Sequence, residues 1–265
     1  MTYEWAYGTD QGSRRKTNQD SILLKKALWG EEEAVLAVLC DGMGGLSRGE
    51  LASASAVRAF SRWFAEELPK LGRENIREQA VYSSWEALFQ RLNAKIGAYG
   101  QRRNLLLGTT VTAVLFLGGR YYIAHVGDCR LYEVTSQLVQ LTKDQTLVQR
   151  EADLGHLTPE DARKDERSHV LLQCVGASKE VAPVYGTGRT PEGARYLLCC
   201  DGFWRKASDQ ELLQALTRGK KRPPAALKRG LKEMIRRNRA RGEQDNITAA
   251  VILCGKKSGP GGVHA

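Results

Sequence analysis

Residues 35–45 read Val-Leu-Ala-Val-Leu-Cys-Asp-Gly-Met-Gly-Gly. An apolar run of this kind makes a strand buried on both faces, and the glycines end it. The tip of that strand carries one carboxylate, Asp41. The arrangement recurs along the chain. Tyr196-Leu197-Leu198-Cys199-Cys200 runs into Asp201-Gly202, Val126-Gly127 runs into Asp128, and Asp245-Asn246 opens onto the last apolar stretch at Ile247. Asp20, after Asn18-Gln19, adds another. Singly, each acid reads as a turn or cap residue. A buried carboxylate is too costly to keep unless it is paired or holds a metal. Several of them at strand ends constrain the chain to sheets whose ends converge on a hard-cation site.

A chain of 265 residues with 42% hydrophobic content can bury a large core. No apolar run approaches the roughly 18 residues of a membrane span. Met1-Thr2-Tyr3-Glu4-Trp5 lacks a basic-then-apolar leader. Cys40, Cys129, Cys174, Cys199, Cys200 and Cys254 lie mostly in or beside strand-like runs, without metal-type spacing. They read as reduced core thiols of a cytoplasmic protein. The net charge of +10 comes from one segment. Residues 218–241 hold eleven Lys and Arg against Glu233, and without them 29 basic and 29 acidic residues remain. Such a face can attract anionic partners, while a solvated helix face is the plainer reading. No aromatic residue is interleaved, which argues against nucleic acid.

Periodicity predicts strands over 2–8, 21–28 and 34–40. A helix follows from Ser47 with Leu51, Ala54, Val57, Phe60, Phe64 and Leu68 on one face, ending at Pro69. A second carries Ile76, Ala80, Ser84, Leu88, Leu92, Ile96 and Tyr99. Residues 109–117 and 120–126 read as a hairpin around Gly118-Gly119, with short strands at 130–134 and 138–141. Residues 144–168 read as a short helix, started by the Thr158-Pro159-Glu160-Asp161 cap signature, plus a flap. Strands are expected again at 170–174, 181–185, 195–200 and 246–254, with helices near 208 and over 224–241. The Gly/Lys/Ser-rich residues 255–265 read as a disordered tail. Tight turns between most strands, and two long helices in succession, argue for antiparallel sheets with helices layered outside.

The motifs run in order over residues 5–254. Arg15 and Asn18-Gln19-Asp20 are followed by Asp41-Gly42-Met43-Gly44-Gly45, Gly49-Glu50-Leu51-Ala52-Ser53 and Gly108-Thr109-Thr110. Val126-Gly127-Asp128-Cys129-Arg130, Leu141-Thr142-Lys143-Asp144, Asp201-Gly202 and Asp245-Asn246-Ile247-Thr248 complete them. This series resembles the metal-dependent, or protein phosphatase 2C, family of Ser/Thr protein phosphatases, in its compact bacterial form. The resemblance implies an α+β fold: a four-layer α-β-β-α sandwich of two antiparallel sheets flanked by helix pairs, with a binuclear metal cleft at the sheet ends. It implies one catalytic domain over 1–254 and two Mn²⁺ or Mg²⁺ ions, with a third weaker position at Asp128. Asp41 would bridge the two metals, the Gly42 carbonyl would ligate one, and Asp201 and Asp245 would complete a shell. Asp20 would act through coordinated water, and Arg15 would grip the phosphate.

The chemistry of the residues agrees. Oxygen-only ligands favour Mg²⁺ or Mn²⁺ over zinc, two such ions can activate a water for in-line attack on phosphorus, and arginine offers a phosphate two parallel hydrogen bonds. The implied partners are phosphoserine and phosphothreonine proteins and a bacterial Ser/Thr kinase, for a monomeric cytoplasmic hydrolase. Several positions depart from the family. Gln19 stands where many members have Glu, Leu46 and Gln145 where His is common, and Gln173 where Arg is common. Met43 cannot donate a proton to the leaving group. The neutral Gln19 is the best support for the alternative, a catalytically weak phosphatase-like binding module. Cys199-x5-Arg205 has the spacing of a cysteine phosphatase, but Asp201 inside that loop would repel a phosphate dianion. Gly186-x-Gly188 reads as a plain loop, and His125 as a hydrogen-bonded core histidine.

Overall fold

The computed structural model describes residues 1–43, 48–72, 76–217 and 224–255. The chain opens with β1 (Thr2–Asp10), turns, and continues into β2 (Asp20–Trp29) and β3 (Glu32–Met43). Helices α1 (Gly49–Glu66) and α2 (Glu78–Arg103) follow. Next come β4 (Gly108–Thr109), β5 (Val111–Leu117), β6 (Arg120–Val126), β7 (Arg130–Val134) and β8 (Leu138–Gln140). Two short helices, α3 (Leu147–Asp153) and α4 (Pro159–Lys164), precede β9 (Val184–Arg189) and β10 (Arg195–Cys199). The one-turn α5 (Asp201–Trp204), then α6 (Asp209–Thr217), α7 (Pro224–Ala240) and β11 (Ile247–Gly255) complete it.

The strands form two antiparallel sheets, ordered β1-β11-β10-β7-β8 and β2-β3-β5-β6-β9, with β4 paired to β3. Helices α1 and α2 cover the outer face of the second sheet, and α6 and α7 that of the first. This is the four-layer sandwich expected. On β3, Val35, Ala37 and Leu39 enter the core shared with the facing sheet, while Ala34, Leu36, Val38 and Cys40 face the helices. From Ala34 to Cys40 the strand is buried on both sides and has no place for a charge, so the next acid after Glu33 is Asp41 at its tip. Under the helices, Trp63 and Trp85 lie 5.3 Å apart. Such an aromatic pair adds about 0.5–1.5 kcal/mol beyond the area it buries. The Trp63 Nε1–H donates to the Ser84 hydroxyl at 2.6 Å.

Several elements differ from the sequence reading. The buried stripe of α1 is Ala52, Ser53, Ala56, Phe60, Trp63 and Phe64, and Leu51 is exposed. Small residues at 52, 53 and 56 let the helix lie close to β2 and β3, where the Ser53 hydroxyl donates to the Gln19 carbonyl at 2.6 Å. The apolar pattern pointed instead to the larger Leu51. Residues 170–174 form no strand; Leu171 makes only an isolated bridge to Thr146. The Gly186–Gly188 stretch is no loop but part of β9, paired to β6. A Cβ at Gly188 would lie 2.3 Å from the Tyr121 hydroxyl, so the glycine admits the ring beside the strand. The region 144–168 holds two helices, capped by Thr146 and, as the sequence suggests, by Thr158. Tail residues 256–265, basic residues 218–223, and Gly44, Gly45 and Leu46 lie outside the described residues.

Candidate metal centre

Register brings the first two acids together. Asp20 opens β2 directly opposite Asp41 on β3. The Asp41 backbone is clamped by the neighbouring segment: its N–H donates to the Thr110 hydroxyl at 2.9 Å, and its carbonyl accepts from Thr110 N–H and the Thr109 hydroxyl, each at 2.9 Å. With every main-chain group engaged, only the carboxylate of Asp41 is left for the cleft. Gly42 then passes under the start of α1, where a Cβ would meet the Gly49 carbonyl oxygen at 2.3 Å. No other residue fits there. The neutral Gln19 has a role in this packing. Its side-chain amide, oriented to satisfy both neighbours, donates to the Gly42 carbonyl at 3.2 Å and accepts from Gly49 N–H at 3.1 Å.

The other sheet supplies the remaining acids. Asp201 follows β10 as the first residue of α5, and Asp128 sits in the turn between β6 and β7; they are 6% and 4% exposed. Asp245 precedes β11 and is held by Arg15, whose Nε and Nη2 donate to Oδ1 and Oδ2 at 2.8 and 2.6 Å. Asn246 ties the sheets together here. Its Oδ1 accepts from Gln19 N–H at 2.8 Å and its Nδ2 donates to the Gln11 carbonyl at 2.7 Å.

The five acids lie within electrostatic reach of one another. Burial pushes the Asp20 carboxyl up to about 7; the nearby Thr248 hydroxyl opposes this and the charge of Asp201 reinforces it. Burial raises Asp41 well above the usual carboxylate range, with Asp20 and then Asp201 adding to it. Asp128 is raised by burial and then by Asp201. Asp201 is raised by burial, while the Arg205 guanidinium pulls it back.

Both oxygens of Asp20, and Oδ1 of Asp201, are sealed from solvent with no donor in hydrogen-bonding geometry. Such groups need a partner that protein atoms do not provide. A hard cation fits them, and the donors are all oxygen. Among the described residues, no three or more His, Cys, Asp or Glu close into a ready-made cage. Two of the acids are instead engaged by cationic side chains, Asp245 by Arg15 and Asp201 by Arg205.

All the acids singled out in the sequence thus meet at one end of the sandwich, with Arg15 among them and the Gly42 backbone beside them. Met43 is 40% exposed. Cys199 is fully buried and its thiol is pushed upward by burial, which removes the cysteine-phosphatase reading. His125 is a core residue, paired through Nδ1 to the Thr112 hydroxyl at 2.9 Å and through Nε2 to the Lys143 carbonyl at 3.1 Å. Sequence reasoning missed the Thr109-Thr110 clamp, the Asn246 tie and Arg205. The first two lie inside motifs already noted; their polar residues amid apolar runs were the available signal.

The model of the family described as protein phosphatase 2C matches residues 7–250. The serine/threonine protein phosphatase PstP of Mycobacterium tuberculosis is 32% identical over 222 residues, which cover 82% of this chain and 39% of PstP. This chain therefore spans well under half the length of that relative. The protein phosphatase PhpP of Streptococcus pneumoniae is 29% identical over 248 residues, covering 92% of this chain and 94% of PhpP. The solved structure of the PstP catalytic domain in complex with two manganese ions superposes with a TM-score of 0.76 at 30% identity, covering 96% of this chain and 99% of that one.

Proposed function

This chain belongs to the protein phosphatase 2C family, and from that premise we propose that it is a Mn²⁺- or Mg²⁺-dependent protein phosphatase acting on phosphoserine and phosphothreonine. The observation that carries the reading is the convergence of Asp20, Asp41, Asp128, Asp201 and Asp245, with buried carboxylate oxygens left unpartnered, beside Arg15. Residues 1–254 make up the catalytic domain. Asp41, the Gly42 carbonyl, Asp201 and Asp245 would hold two cations, and Asp20 would act on them through water. When bound, the cations neutralise the phosphate and activate the water that attacks phosphorus in line.

The chain's own residues do the rest. The Thr109-Thr110 clamp fixes where Asp41 points. Arg15, whose Nε and Nη2 donate in parallel to the two oxygens of Asp245, would offer the same fork to two phosphate oxygens. Met43 has no proton to give, so the leaving serine or threonine oxygen takes its proton from water. The neutral Gln19 costs no ligand, because its amide spans Gly42 and Gly49. This argues against the inactive-module alternative. The substrates are phosphoproteins made by a Ser/Thr kinase. Six free, buried cysteines support a cytoplasmic setting, and no helix among the described residues is long and apolar enough to cross a membrane. All the residues proposed for the site come from one chain, which supports a monomer.

The test is hydrolysis of p-nitrophenyl phosphate and of a phosphothreonine peptide with added Mn²⁺. Turnover of both, abolished by EDTA, is the expected result. Folded protein without metal-dependent turnover would overturn the reading.

A further inference from the structure

Asp201 divides its two oxygens between different surroundings. Oδ1 is buried without a partner, and Oδ2 is held by Nη2 of Arg205. Arg205 stands four residues after Asp201, so its side chain returns along α5 onto the acid that starts the helix. Its guanidinium also lies in the field of Glu243, Asp128 and Asp245. The neighbouring residue is anchored firmly. The Trp204 Nε1–H donates to the Asp128 carbonyl at 3.2 Å, and the Arg130 guanidinium covers the Trp204 ring at 3.4 Å. Arg130 is itself fixed by Asp144, with contacts of 2.9 and 2.7 Å. Arg205 is thus set on a rigid base against the Asp128–Asp201 pair.

A third metal at Asp128 would need a second carboxylate oxygen beside it, and Oδ2 of Asp201 is already bound to the Arg205 guanidinium. We propose that Arg205 is a built-in cation occupying the third position, so that this centre takes two metal ions and no more. The proposal rests on the two-metal reading above.

The experiment counts manganese. Equilibrium dialysis against millimolar Mn²⁺ with metal analysis, together with titration calorimetry, is run on the full chain and on Arg205→Ala, Arg205→Lys, Asp128→Asn and the Arg205→Ala/Asp128→Asn double variant. Wild type, Arg205→Lys and Asp128→Asn should each bind two ions. Arg205→Ala should gain a third, in the millimolar range, and the double variant should lose it again. Wild type binding three ions, one of them lost in Asp128→Asn, would overturn the proposal without any Arg205 variant. So would folded Arg205→Ala that still binds two. Wild type with no tight manganese at all would instead overturn the two-metal reading beneath it.

Discussion

The acids of the cleft were legible because each stands at the edge of an apolar run, Asp41, Asp128 and Asp201 at its end and Asp20 and Asp245 at its start. What those acids touch was less legible. Arg15 was assigned to phosphate by resemblance, and the structure shows it in a two-bond pair with Asp245. Arg15→Ala should raise KM for a phosphopeptide by about ten- to a hundredfold with a small change in kcat, as expected for lost charged hydrogen bonds in the ground state. Steady-state kinetics that show kcat collapsing at constant KM would place Arg15 at the transition state instead. Asp41→Asn should abolish turnover by removing metal, and calorimetry should show the tight Mn²⁺ heat gone. Normal binding in that variant would refute its role as ligand. Arg205 was hidden because a spacing of four means nothing until Asp201 is known to start a helix. Read as a loop, the same residues resembled a different enzyme class.

Among the elements, the long buried strands were read more accurately than the helix faces, while 170–174 form no strand and Gly186–Gly188 lie in one. The reading of β3 survives because every position from Ala34 to Cys40 is apolar and the charges stand only at its two ends. The face of α1 was misjudged because close approach selects the small Ala52, Ser53 and Ala56, which carry little hydrophobic signal. The β5–β6 hairpin carries a testable device. His125 accepts through Nδ1 from Thr112 and donates through Nε2 to the Lys143 carbonyl, which fixes the neutral tautomer. Burial lowers its pKa from 6.5 to about 4, with Asp144 pulling the other way. A depressed basic pKa gives stability that is present above the unfolded value and lost as pH falls. Denaturant midpoints should therefore decline between about pH 6.5 and 4. His125→Gln should flatten that decline; an unchanged pH profile would exclude His125 as its source. On the neighbouring segment, Thr110→Val strips the acceptor from Asp41 N–H. It should destabilise by roughly 1–3 kcal/mol in urea titrations, and weaken Mn²⁺ binding as the acid loses its fixed direction.

At the scale of the whole molecule, the sandwich keeps its stability and its chemistry in different places. The Trp63–Trp85 pair beneath α1 and α2 belongs to the outer core. Trp63→Ala should lower stability by about 3–5 kcal/mol, or on the order of ten degrees in Tm by calorimetry. Manganese stoichiometry should stay unchanged where the variant folds; a lost site would show that the outer layer sets the cleft. The layering was legible because consecutive helices and tight hairpins rule out a doubly wound sheet, whereas the Asn246 tie between the sheets was not, since sequence alone does not bring residues 19 and 246 together. The pairing of β1 with β11 joins residues 2–10 to residues 247–255. Synthesis runs from one end, so the earliest strand waits for the latest before it has a neighbour. Asp245 arrives just ahead of that final strand. A nascent chain can thus hold most of the sandwich before Asp245 and β11 arrive to close the cleft.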